Sequence, residues 1–137
     1  CSVDEITEFY DEKKAVMCVK HDYKPKSSTK MDGILQTTYP RKNWSSLMMF
    51  NCAHKELKNL SVKNVNTKET KYLHRMEWAT NIGRIPTIYN WLEGDYPSDI
   101  DPKVIHFTNG GPWHKTWDGA YSNKWIKVYN EIVNQAK

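Results

Sequence analysis

Cysteine is scarce in this chain: Cys1, Cys18 and Cys52 are the only thiols in 137 residues. Their number and irregular spacing exclude a disulfide framework. Cys18 and Cys52 lie inside apolar, strand-like runs and are expected to be buried free thiols. Cys18-x-x-His21 and Cys52-x-His54 do not extend to the four-ligand spacing of a zinc site. No apolar run is long enough to span a bilayer, and no stretch reads as a signal peptide. Internal repeats and low-complexity segments are missing, which excludes solenoids and disordered linkers. No Ser/His/Asp or Cys/His order suggests a covalent nucleophile.

What is present is a globular composition, 39% hydrophobic and 26% charged, with six Trp and eight Tyr. Aromatics are ordinary core material, yet they also stack on sugar faces, so their excess leans toward carbohydrate. The net charge of +4 comes from 20 Lys and Arg against 16 Asp and Glu. No helix carries a continuous basic stripe and no nucleic-acid reading motif accompanies the charge, so a nucleic-acid partner is not expected. Attraction to anionic substrates or to a membrane surface accounts for it equally well. Free thiols suggest a reducing compartment, so a cytoplasmic location with peripheral membrane contact is the expectation. Cys1-Ser2 also matches the mature start of a bacterial lipoprotein. Asn43-Trp44-Ser45 and Asn59-Leu60-Ser61 match the glycosylation sequon, a pattern frequent by chance.

Local patterns place the elements. Ser2 and Glu5 have capping-box spacing, and Val3, Ile6, Phe9 and Tyr10 predict one face of a short helix. Ala15 to Val19 reads as a strand buried on both faces, and Lys24 to Asp32 as a surface loop. Leu47 to Cys52 predicts a second buried strand. Ser61 is a candidate N-cap for a helix through Asn66. Thr70 to Ala79 reads as another helix, with Leu73, Met76 and Ala79 inward. Strands are expected over Ile88–Leu92, ended by Gly94, and over Val104–Phe107. Trp125, Val128, Tyr129, Ile132, Val133 and Ala136 repeat at helical spacing after Ser122, a stripe read as packing. Strands alternating with helices give an α/β class with a mixed sheet and flanking helices, in a single domain over residues 1–137.

The stretch most suggestive of chemistry is Val104-Ile105-His106-Phe107-Thr108-Asn109-Gly110-Gly111-Pro112-Trp113. A strand hands one imidazole into a Gly-Gly turn that Pro-Trp closes. Adjacent glycines let the backbone approach a ligand, and their N–H groups can face an anion. A strand-end His can coordinate a metal that neutralises the same anion. The plainer alternative is a hairpin turn with a buried His and a core Trp.

His106 to Trp113 resembles the C-terminal signature of GT-A glycosyltransferases related to glycosyltransferase family 8. In that family the His completes a manganese site and the turn contacts the diphosphate of a nucleotide-sugar. The common pattern has Lys where this chain has Gly111, and it is one residue longer. Asn43-Trp44-Ser45-Ser46-Leu47-Met48-Met49-Phe50-Asn51 is similar to the family's strand lining the donor-sugar and acceptor site. Leu73-His74-Arg75-Met76-Glu77-Trp78, then Ile82-Gly83-Arg84-Ile85-Pro86 and Tyr89-Asn90-Trp91-Leu92, resembles a helix carrying an acidic residue followed by a strand. Glu77 stands where the family has Asp.

The resemblance, over roughly residues 15 to 117, implies transfer of a sugar from a nucleotide-diphospho-sugar to a glycan or other hydroxyl acceptor. It implies His106 as a ligand to Mn or Mg, and Gly110, Gly111 and Trp113 at the donor diphosphate. Asn43, Ser45, Ser46 and Asn51 would bond sugar hydroxyls, and Glu77 would be the polar group near the reacting sugar. Glu77 reads equally as a solvated helix residue. The family's Asp-x-Asp pair is missing. Asp99 and Asp101 have that spacing, but they lie between Pro97 and Pro102 in a loop. The expectation is therefore an incomplete GT-A fold, the C-terminal portion of a catalytic domain, inactive alone and covering a bare sheet edge by pairing with another copy. The alternative is a non-catalytic, aromatic-rich carbohydrate-binding module. Exposure of Trp44, Trp91, Trp113 and Trp117 on one surface would favour it.

Overall fold

A computed structural model describes residues 2–135. The architecture is mixed α/β, with two small sheets in place of one. Helix α1 (Val3–Thr7) starts on the expected capping box: Ser2 Oγ accepts from Asp4 N–H, and the Glu5 carboxylate accepts from Ser2 N–H. Ile6 and Phe9 lean on the core, while Val3 and Tyr10 are exposed.

Strand β1 (Val16–Cys18) is the hub. It lies between β2 (Met48–Phe50), antiparallel, and β3 (Ile82–Arg84), parallel, so Val16 faces Phe50 on one side and Ile82 on the other. Residues 15 to 19 are completely buried. Alternation along the strand sends Val16 and Cys18 into a cluster with Met76, Trp78 and Ala79. Met17 and Val19 point the other way, toward Ile85 and Tyr89. One strand thus feeds two cores, at about 1.5–3 kcal/mol for each large apolar side chain removed from water. Burial pushes the Cys18 thiol up to about 11, which leaves it neutral and unreactive.

Several expectations need correction. β2 is an edge strand, half-buried rather than buried, and it ends before Asn51, so Cys52 is exposed. Cys1 lies outside the described residues. Between β2 and the helix capped by Ser61 runs an unforeseen 3-10 segment, Lys55–Leu60. Helix α2 (Val62–Thr67) follows as expected, with Ser61 Oγ accepting from Asn64 N–H. Helix α3 is shorter than expected, Thr70–His74. Met76 adopts a left-handed φ of 51° and breaks the helical period. That break lets Met76 and Trp78 both enter the core. After β3, Thr87–Tyr89 forms a 3-10 turn, and β4 is only Trp91–Leu92, parallel to β5, Ile105–His106.

Helix α4 (Ser122–Gln135) forms where expected, but Ser122 is its first helical residue rather than its cap. Its apolar stripe packs only in part: Trp125 and Val133 are half-buried, while Val128, Tyr129 and Ile132 are exposed. Ala136 lies outside the described residues. The two-residue strands nearby offer too little surface to cover such a face. Among the described residues, no helix is long and apolar enough to cross a membrane.

Candidate functional site

Beyond the carboxyl ends of β1 and β5, and just ahead of β4, the chain comes together in a largely buried polar cluster. Beyond β1 the chain runs through Val19 and Lys20 to His21, which is 6% exposed. The His21 ring lies 2.8 Å (Nδ1) from Tyr96 Oη and 3.1 Å (Nε2) from Asn90 Nδ2. Asn90 Nδ2 also donates to Ser46 Oγ at 2.7 Å, and Ser46 Oγ donates to the Asn43 carbonyl at 2.6 Å. With Asn90 donating, His21 Nε2 accepts, so the ring proton sits on Nδ1 and points at the Tyr96 hydroxyl. Burial, and secondarily the neighbouring His106, lowers His21 to about 4. His21 is therefore a neutral imidazole at neutral pH.

A second arm joins Asn43 to the β5 turn. Asn43 Nδ2 donates to Tyr23 Oη at 2.6 Å and to Thr108 Oγ1 at 3.3 Å. Trp44 Nε1 donates to the His21 carbonyl at 2.8 Å. Burial raises both Tyr23 and Tyr96, and the Asp95 carboxylate raises them further. Asp95 is buried, with Oδ1 accepting from Lys26 N–H at 3.0 Å and Oδ2 left without a partner. His106 Nδ1 is another buried atom without a partner. Burial and the Lys30 charge hold this imidazole below its ordinary value, so it too favours the neutral form. Unpaired buried polar atoms are rare and cost stability, and among the described residues Gln36 Oε1, Arg75 Nε and Trp117 Nε1 share this condition outside the cluster.

The 38–46 loop delivers Arg41, Lys42 and Asn43 to this cluster through a tight, strained path. Arg41 and Asn43 both have left-handed φ values, 60° and 62°. Each such non-glycine residue costs on the order of 1 kcal/mol or more. The Arg41 guanidinium secures the loop by donating to the carbonyls of Arg75 at 2.8 Å and Met76 at 3.1 Å. Between this loop and the 21–24 segment lies an open cavity of about 600 Å³ that shares His21 and Tyr23 with the cluster.

The Gly-Gly turn is built differently from its expected role as an open anion cradle. Gly110 has a φ of 133°, and a Cβ there would stand 2.7 Å from Met31 Sδ. A Cβ on Gly111 would fall 2.1 Å from the Trp113 ring. Both glycines are needed for close packing, by the 26–36 loop in one case and the Trp113 indole in the other. Met31 N–H donates to the Asn109 carbonyl at 3.0 Å, and the Gln36 amide donates to Asn109 Oδ1, which ties that loop over the turn. A cavity of about 180 Å³ beside Gly110, with Lys30 and His114 in its wall, remains open. Trp113 is 54% exposed.

The expected site residues thus divide. Asn43, Ser46 and His106 meet in the cluster. Ser45 faces outward, its hydroxyl 3.0 Å from His74 Nδ1. Asn51 sits at the opposite end of β1, where its amide donates to the Glu12 carbonyl and holds the 12–15 segment. Glu77 is exposed on the turn after α3 and joins none of the cluster's hydrogen bonds. His21, Asn90, Tyr96, Asp95 and Thr108 form the cluster without having been singled out as site residues. The available signal was a buried-run strand ending in His, and Glu93-Gly94-Asp95 directly after the β4 strand. As for a metal, His106 brings one free imidazole nitrogen. Among the described residues no three His, Cys, Asp or Glu side chains stand together to hold an ion. The residues present do not by themselves fit a metal site.

The chain is 43% identical over 143 aligned positions to Protein CDI of Arabidopsis thaliana, an alignment covering 98% of this chain and 55% of that protein. The chain therefore spans about half the length of this curated relative. No family model matches it. No solved structure matches it either.

Proposed function

We propose that this chain is the sugar-binding portion of a glycosyltransferase that moves a sugar from a nucleotide-diphospho-sugar to a hydroxyl acceptor. The observation that carries the reading is convergence. Three stretches that resemble one enzyme family, around Asn43–Ser46, Tyr89–Asn90 and His106–Thr108, are far apart in sequence. They meet in one hydrogen-bonded cluster, beyond the ends of β1 and β5 and just ahead of β4.

In this reading the acceptor oxygen bonds to the anomeric carbon as the nucleoside diphosphate leaves with the bonding pair. Asn43 and Ser46 orient sugar hydroxyls. His21, neutral and bonded at both nitrogens, sets the positions of Asn90 and Tyr96. Lys30, beside the Gly110 turn, faces the charge that builds on the leaving group. His106 offers one nitrogen to a divalent metal such as Mn or Mg. Since the described residues supply no further ligand set, no step is assigned to that metal.

The carbohydrate-binding alternative has one observation of its own. Trp113, Trp125 and Tyr129 form an aromatic strip, with Trp125 stacked on Tyr129 at 5.2 Å and Trp113 6.0 Å from Trp125. Trp44, Trp91 and Trp117, however, are half-buried, and Trp44 is bonded into the cluster. The test is calorimetric titration with UDP, with and without manganese, on the chain and on His106→Ala. UDP binding that weakens in the variant is expected. Absence of binding, or binding indifferent to His106, overturns a donor site on this chain.

A further inference from the structure

The open cavity of about 600 Å³ is walled by Asp22, Tyr23 and Lys24 on one side and by Tyr39, Arg41 and Lys42 on the other. Three cations line this space against one carboxylate, with the Arg41 guanidinium turned to the Arg75 and Met76 carbonyls. None of the three belongs to an ion pair among the described residues, whose pairs are Lys71–Glu69, Lys103–Glu5 and Lys124–Asp101. Lys24 makes no hydrogen bond there either. Lys42 Nζ donates once, to the Thr37 carbonyl at 2.9 Å, and keeps two hydrogens free. Burial and the nearby Lys30 charge make the Lys42 ammonium harder to keep charged, a cost that a bound anion would relieve. Lys42 Nζ stands over the Tyr39 ring, 5.3 Å from its centre, and the Arg75 guanidinium 5.6 Å from it, so positive charge is held against the aromatic wall.

A phosphate or carboxylate satisfies the lysines, and the apolar face of a sugar ring suits the tyrosines. We propose that this cavity is the acceptor subsite and takes a sugar bearing an oxyanion. The word acceptor rests on the transferase reading above; the anionic-sugar site rests on the cavity alone. Its join to the cluster through His21 and Tyr23 places the ring of such a ligand next to Asn43 and the β5 turn.

The experiment is calorimetric titration of the full chain with glucose 6-phosphate, glucuronate, uncharged glucose, inorganic phosphate and UDP. It is repeated on Lys24→Ala, Lys42→Ala and His106→Ala. Lys24→Ala removes no hydrogen bond of the fold, so a folding defect does not blur its result. The expected result is that one or both charged sugars bind and that glucose binds at least about tenfold more weakly. Each lysine variant should lose about tenfold, the size of one charge-assisted hydrogen bond, while His106→Ala retains the affinity. Whichever charged sugar binds more tightly names the oxyanion as phosphate or carboxylate. Equal affinity for glucose, no effect of either lysine, or no binding of any sugar overturns the proposal. So does inorganic phosphate binding as tightly as the sugars, because the ring would then contribute nothing. If UDP affinity falls in the lysine variants and not in His106→Ala, the cavity holds a donor diphosphate and the proposal fails. Failure of UDP to bind sinks the transferase reading separately, and the sugar titrations then judge the cavity by themselves.

Discussion

Acidification should unfold this protein through His21 before most of its carboxylates are protonated. The imidazole falls from its ordinary 6.5 to about 4 because it is buried and already bonded at both nitrogens. Above pH 6.5 neither the folded nor the unfolded chain holds this proton, and stability is unaffected. Between 6.5 and 4 only the unfolded chain takes it up, so stability falls as pH falls, and below about 4 the loss is complete. A shift of this size corresponds to about 3 kcal/mol in full and about 2 kcal/mol at pH 5. With a urea m-value on the order of 2 kcal/mol per molar, the midpoint should drop by about 1 M between pH 7.5 and pH 5. The assay is urea unfolding of the wild-type chain and His21→Gln at both pH values. His106 moves stability in the same direction, but it is present in both proteins and cancels in the comparison. The variant should be less stable at pH 7.5 yet show the shallower pH dependence. Parallel midpoint curves for the two proteins would refute a buried neutral imidazole at this position.

Glu56 is expected to matter more than a half-exposed carboxylate usually does. It accepts from the backbone and side chain of both Thr80 and Asn81, and these bonds pull it to about 2. Glu56→Ala should cost about 2 kcal/mol in chemical denaturation at pH 7, and a loss below about 0.5 kcal/mol would contradict the assignment. Gly83→Ala would set a Cβ 2.7 Å from Met17 Cγ in the centre of the sheet. A cost of about 1–3 kcal/mol is expected, and an unchanged melting temperature would show that Met17 yields freely. Gly110→Ala combines a left-handed backbone with a collision against Met31. Limited proteolysis should then cut the 26–36 loop faster than in wild type, and an unaltered digestion pattern would mean the turn does not anchor it. Ile132→Lys, on the exposed face of α4, should leave the urea midpoint within about 0.5 kcal/mol, whereas a large loss would place that face against other parts of the chain.

Where signals were local, the sequence was readable. Ser2 with Glu5, Ser61, the buried run at residues 15 to 19 and the start of α4 each depend on neighbours within a few positions. The mixed α/β class followed from their alternation. Errors arose where a distant residue decided the outcome. Met76 leaves the helical path because the core of β1 receives both it and Trp78, which no periodicity in residues 70–79 reveals. Cys52 is exposed because β2 lies at a sheet edge and stops early, a consequence of pairing order. His21 entered the sequence reading only through a rejected zinc spacing, since its partners Asn90 and Tyr96 are 69 and 75 positions away. Motif order carries tertiary information that composition lacks: Asn43 and Ser46 share the cluster's hydrogen bonds, and His106 lies close enough to His21 to affect it. Gly110 and Gly111 read as places for a ligand to approach the backbone, whereas the groups packed against them in the fold are the chain's own Met31 and Trp113.

The central position of β1 also sets a schedule. Val16 pairs with Phe50 and with Ile82, so the hub's two partners lie 34 and 66 residues downstream. At a ribosome adding roughly 5–20 residues per second, an oily strand leaves the tunnel and waits roughly 3–13 s for its parallel neighbour to be made. Until then, β2 is the partner nearer in sequence, and Met17 with Val19 has only Ile6, Phe9, Leu47 and Met49 to lean on. Nascent chains halted between residues 50 and 82 should therefore expose a sticky half-sheet, and it is at that stage of synthesis that this protein has most need of a chaperone.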